Sequence, residues 1–242
     1  MLSKSEIKIM KKSVFSMLFA VILCMAIIGS VYATTITVES SITRDFYAVF
    51  TFSDINAPTY QNIKNNALMT GDTLPVQLWD NMAQKGLLGV EFYSQSINFN
   101  DNTHSIVSAF NLRGPSIINS TIDRTVKIET FRMDTKWRKF YLNITTDFHF
   151  NFTRDLATPL SYWMNSTGGG VTSYSYSNST AGVSFSFQLP SYARNTVVVG
   201  DTIIFDAPYE PSFEDKLINS PILILIALAV VGAVIYFYRK IR

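Results

Sequence analysis

The chain carries two histidines, one cysteine and, between residues 34 and 217, seventeen carboxylates. A zinc or copper site built on imidazole would need His104 and His149 together, with acids such as Asp101 or Asp147, because these ions take neutral imidazole and carboxylate ligands. The two histidines stand 45 residues apart in no ligand-spaced motif, so no metal site is expected. A histidine-based triad meets the same obstacle, and no Gly-x-Ser-x-Gly elbow is present. Gly168-Gly169-Gly170 lacks the lysine and the strand-turn-helix setting of a phosphate loop and reads as a turn. No cofactor motif is found. Carboxylate chemistry stays open, since a glycosidase needs only two acids facing each other across a cleft. Cys24 lies inside an apolar run, where a thiol packs as a small hydrophobe.

Five Asn-x-Ser/Thr sequons occur, at Asn119, Asn143, Asn151, Asn165 and Asn178. Every asparagine between residues 112 and 194 lies in one of them. Asn143 and Asn151 fall on the polar parity of a strand, and Asn165 and Asn178 in turns, so glycosylation is expected at several. It requires an exposed surface in an exported protein. Arg124, Lys127, Arg132, Lys136, Arg138 and Lys139 are interleaved with Asp123, Glu129 and Asp134. That pattern reads as a solvated face of paired charges, with a patch for anionic glycans or headgroups as the sharper alternative. Tyr162, Trp163, Tyr174 and Tyr176 would suit a sugar platform, although a ring as large as Trp163 gains most by burial.

These residues must be positioned by β-structure. Apolar and polar residues alternate along most of residues 34–206, the pattern of half-buried strands. Phe46, Ala48, Phe50 and Phe52 share one parity. In 139–153, Phe140, Leu142, Ile144, Phe148, Phe150 and Phe152 oppose Asn143, Asp147, His149 and Asn151. That stretch is one long strand, or two joined near Thr146. Val126 and Ile128 begin another run, Val183, Phe185, Phe187 and Leu189 form a further one, and Thr196–Phe205 suits a hairpin around Gly200-Asp201. The fold class is mainly β, an antiparallel β-sandwich. A helical insertion at about 59–86 interrupts it. Leu74, Leu78 and Met82 repeat at helical spacing, and Tyr60, Ile63 and Ala67 turn inward on a shorter helix. Residues 161–180 read as a loop until the ladder restarts at Val171.

The ends set the compartment. Lys4, Lys8, Lys11 and Lys12 precede an apolar run, and Val31-Tyr32-Ala33 fits a signal-peptidase site, so residues 1–33 read as a signal peptide; an uncleaved signal anchor is the alternative. Residues 217–238 hold no charge, and at ~1.5 Å per residue they reach across a ~30 Å hydrocarbon core. Arg239, Lys240 and Arg242 follow, which places residues 239–242 in the cytoplasm and the bulk of the chain outside. Residues 207–216 form a short tether. The four lysines and one glutamate of residues 1–33 contribute +3 and the basic tail another +3, so of the overall +2 the segment 34–217 holds −4. An acidic exterior domain argues against nucleic acid. An exported domain of this size without a disulfide relies on its core, and the absence of cysteine there suggests a prokaryotic surface, archaeal before bacterial.

The expectation is a single-pass protein whose C-terminal helix meets membrane lipid. Its exterior domain is a non-enzymatic surface or assembly subunit that binds protein or glycan. The alternative is a tethered hydrolase of cell-surface polymers using paired carboxylates.

Overall fold

The strands form where large apolar and small polar residues alternate, because period two puts one set in the core and the other outside. The computed structural model describes residues 34–209, together with Ala229, Val231, Phe237 and Tyr238, which are helical. The expected signal, most of the tether, nearly all of the expected span and the basic tail lie outside the described residues. Among the described residues no helix is long and apolar enough to cross a membrane.

The described chain is mainly β. In order it runs β1 (Thr35–Ile42), β2 (Phe46–Ser53), helices α1 (Ala57–Asn65) and α2 (Thr73–Gln84), β3 (Glu91–Asn100), β4 (Ser105–Arg113), β5 (Ile118–Asp123) and β6 (Ile128–Asp134). A 3₁₀ turn (Lys136–Arg138) leads to β7 (Tyr141–Thr145), β8 (Phe148–Asn151) and the short helix α3 (Phe152–Asp155). A second 3₁₀ turn (Leu160–Tyr162) precedes β9 (Met164–Gly168), β10 (Val171–Asn178), β11 (Val183–Gln188), β12 (Arg194–Val199) and β13 (Thr202–Pro208). β13 continues past the boundary expected at 206, and Ala207 is buried.

Three sheets result. Seven strands lie in the order β3-β4-β2-β1-β11-β10-β9, four in the order β12-β13-β6-β5, and β7 pairs with β8. All pairings are antiparallel except that of β1 with β11, which is parallel. The seven-stranded sheet is therefore mixed. A parallel neighbour needs a long crossover, and here nearly the whole domain intervenes between Ile42 and Val183.

The inner faces of the two large sheets, the β7–β8 hairpin and both longer helices contribute to one apolar core. Its centre is aromatic. The Phe50 ring meets Phe52, Phe110, Phe140, Phe152 and Phe185 at centroid distances of 5.7–6.4 Å. Trp137 lies 5.5 Å from Phe46. Burying each such ring is worth about 1.5–3 kcal/mol, and the edge-to-face contacts add to it.

Within 139–153, β7 and β8 are two strands with a turn at 146–147 and Phe152 already opens α3, while Phe140, Leu142, Phe148 and Phe152 are buried as expected. Leu74, Leu78 and Met82 are buried on α2, as their spacing requires. Ala67 departs from expectation: α1 ends at Asn65, and Ala67 is exposed at φ 48°, so the helical period stops short of it. Val126 is likewise exposed in the turn before β6. The Met164–Gly168 stretch is an edge strand rather than a loop, joined to β10 by Gly169-Gly170 at φ 59° and 78°. A left-handed pair of this kind closes a two-residue hairpin and suits glycine.

The Gln77 side chain ties α2 to β7. Its Nε2 donates to the Asn143 carbonyl at 3.0 Å, and the Asn143 amide donates to its Oε1 at 2.8 Å. A side-chain amide thus stands where a neighbouring strand would pair.

Candidate functional site

Cys24 lies outside the described residues, whereas both histidines have a definite place. His149 is exposed, with Nδ1 2.8 Å from the Thr146 carbonyl. His104 is half-buried at φ 46°, its ring 5.2 Å from that of Tyr60. Among the described residues no three His, Cys, Asp or Glu side chains are grouped to hold a metal ion.

Carboxylates do not converge in any described hollow. One of about 150 Å³ is lined by Glu129, two on the outer side of the seven-stranded sheet by Glu39, and one beside the β3–β4 turn by Asp101. Each of the four contains a single acid. Glu129 is buried and neutralised in place, accepting from Arg44 at 3.1 Å and from the Ser120 hydroxyl at 2.8 Å. Asp101 accepts from the Tyr60 hydroxyl at 2.8 Å and from Lys64 at 2.5 and 2.7 Å. Burial pushes the Tyr60 phenol up to about 12, helped by the bond to Asp101 and its charge. The Lys64 bond, then the Tyr60 bond, hold Asp101 below the usual carboxylate range. These links dock α1 against the β3–β4 turn.

The basic cluster is only partly a solvated face. Lys136 pairs with Asp134 at 3.5 Å, but Arg138 and Lys139 both reach Asp201, at 2.7 and 2.8 Å, and Arg138 is fully buried. Its guanidinium also donates to the carbonyls of Thr135 and Thr158 and lies 4.9 Å over the Trp163 ring. The charge expected at the surface was pulled inward because an acid 63 residues away in sequence meets it there.

No shared aromatic platform is exposed. Trp163 and Tyr174 are buried, Tyr176 is half-buried and stacked on Trp163 at 5.5 Å, and Tyr162 alone of the four is exposed.

The sequons divide into two groups. Asn119, Asn143 and Asn165 are exposed on β5, β7 and β9. Asn151 is half-buried, and its Oδ1 caps α3 by accepting from the Arg154 amide at 3.1 Å. Asn178 is half-buried at the end of β10, with Oδ1 accepting from Ala181 and Nδ2 donating to the Asp155 carbonyl at 3.3 Å. Asn165 and Asn178 were expected in turns; both belong to strands.

Period two also leaves the outer face of the seven-stranded sheet with a distinctive composition. One row across it reads Ser177, Ser184, Thr37, Thr51 and Val107; the next reads Met164, Ser175, Ser186, Glu39, Val49 and Ala109. Six of these eleven residues are serine or threonine, Glu39 is the one formal charge in the two rows, and towards the β3 edge the same face carries the Glu91–Arg113 pair at 3.0 Å. Comparison with family models, curated proteins and solved structures finds no significant match to this chain.

Proposed function

We propose that this chain is a single-pass surface subunit whose β-sandwich stands outside the cell and binds a protein or glycan partner without chemistry of its own. In this reading residues 1–33 direct export, residues 217–238 span the membrane and residues 239–242 stay in the cytoplasm. The uncharged length of 217–238 and the basic stop after it support the topology. The two large sheets, packed through one core, support the sandwich.

The observation that carries the binding role is the outer face of the seven-stranded sheet. It turns away from the core, is rich in serine and threonine across β10, β11 and β1, and bears two shallow hollows of about 190 and 370 Å³. Extended faces of this kind suit a broad partner surface better than a small substrate, which is held in a concave apolar site. The hydrolase alternative requires two acids facing each other, and no described hollow has them.

Affinity purification of the full-length chain from its own membranes tests this reading. Proteins or glycans that co-purify with the parent should be lost from a Ser175→Arg/Ser186→Arg variant that still folds. Retention of the same partners by that variant, or recovery of the chain from cytosol without detergent, overturns it.

A further inference from the structure

The two large sheets expose four edges, and an unprotected edge pairs with other strands unless something blocks it. Two are blocked by their own geometry. β3 has a register shift between Tyr93 and Ser96, with Ser94 at φ 55°; β12 has one between Arg194 and Val197, with Asn195 at φ 50°. Bulges twist an edge away from pairing.

The other two edges, β5 and β9, pair with their single neighbours in unbroken register. Neither contains lysine or proline, and β9 carries no charge at all. Every residue of β9 is exposed, as is all of β5 beyond Ile118. Neither edge has a bulge, lysine or proline to protect it, yet both carry the same tripeptide: Asn119-Ser120-Thr121 on β5 and Asn165-Ser166-Thr167 on β9. In an extended strand Asn and Thr two positions on share a face, so carboxamide and hydroxyl project together at each edge.

We propose that Asn119 and Asn165 carry N-linked oligosaccharides, and that these sugars keep β5 and β9 from pairing with strands of other molecules. This rests on the export reading above. The donor is a lipid-linked oligosaccharide (di)phosphate acted on by a membrane oligosaccharyltransferase. The asparagine Nδ2 bonds to the anomeric carbon, the carbon–oxygen bond to the lipid phosphate breaks, the lipid phosphate leaves and Nδ2 gives up one proton. Asn178 stays bare, because its Nδ2 is held by the Asp155 carbonyl. Asn143 is the internal control: it is exposed, but its backbone is already closed by Gln77, so a sugar there adds nothing to edge protection.

Glycopeptide mass spectrometry of the full-length chain from its own membranes should find sugar on Asn119 and Asn165 and none on Asn178. Detergent-solubilised protein should remain dispersed by light scattering. The Asn119→Gln/Asn165→Gln and Thr121→Ala/Thr167→Ala double variants should roughly double in mass or grow larger. Thr121→Ser/Thr167→Ser, which keeps both sequons, and Asn143→Gln should match the parent. Bare Asn119 and Asn165 on a membrane-anchored chain, or stripped variants that stay dispersed, overturn the inference alone. Unmodified chain in the cytosol overturns the export reading as well.

Discussion

Replacing Asp201 by asparagine should be among the most damaging single polar changes in the molecule. The carboxylate, 11% exposed, accepts from Arg138 at 2.7 Å, Lys139 at 2.8 Å and the Leu160 amide at 3.1 Å. Burial alone would raise this carboxyl. The bonds from Lys139 and Arg138, the Arg138 charge and the Leu160 amide outweigh it and bring the group to about 2. Against the ordinary 3.8, that corresponds to roughly 2 kcal/mol of stability. Because the folded-state value lies below the unfolded one, this contribution is complete above about pH 4 and is lost as pH falls towards 2.

The asparagine variant loses more than this, since it strands a fully buried guanidinium. Breaking a buried pair from one side costs about 3–5 kcal/mol, which for a domain of this size lowers Tm by about 10 °C. Thermal melts of the full-length chain in detergent at pH 7, followed by circular dichroism, read the effect. An Asp201→Leu/Arg138→Met/Lys139→Met variant removes all three charges and should recover to within about 2 kcal/mol of the parent. An Asp201→Asn protein melting within about 2 °C of the parent would refute the account, as would a parent whose stability is flat between pH 4 and 2.

Phe50→Ala removes a ring that touches five others and should cost about 3–5 kcal/mol by chemical denaturation. Gln77→Ala deletes both bonds to the Asn143 backbone; a loss of about 1–3 kcal/mol is expected, with hydrogen exchange accelerated at Asn143 before other strands. Gly114→Ala should prevent folding or destabilise severely, because a Cβ there would run into the Gly89 carbonyl and crowd Val90; soluble yield and melting temperature report it. Tyr60 should stay protonated until about pH 12 in an ultraviolet titration of the folded protein, and Asp101→Asn should bring it down by removing the nearby charge and weakening the bond its hydroxyl donates.

Local information was enough for the faces and not for the partners. The parity of Phe46, Ala48, Phe50 and Phe52, or of Phe140 through Phe152, depends only on neighbouring residues, so the buried set was readable from sequence. The same holds for the Gly200-Asp201 hairpin and for Leu74, Leu78 and Met82. Which strands lie side by side depends on distant sequence, and the parallel β1–β11 pair had no local signal. β9 reads as a loop in the sequence because an edge strand buries nothing, and its Asn-Ser-Thr-Gly composition matches that of a loop. The ion pairs went unseen for a related reason: Arg138 meets Asp201 across 63 residues and Arg44 meets Glu129 across 85.

The contrast between the two faces of the seven-stranded sheet bears on function more than any single cluster does. Its inner face is crowded with phenylalanine, while β10 and β11 present serine after serine outward. Away from the Glu91–Arg113 pair at the β3 edge, the outer face lacks the mixture of lysine, arginine and acids that keeps a purely water-facing surface soluble and unsticky. Short hydroxyls do the opposite: they leave a flat relief, little side-chain entropy to lose on contact, and donors and acceptors that can adapt to a partner. None of the five sequons shares that parity, for Asn165 pairs with the buried Tyr174 and the other four lie on β5, β7, β8 and the end of β10 beside buried Val183. Sugars at Asn119 and Asn165 would shield two edges while leaving the serine-rich face open, which is the arrangement a docking surface needs.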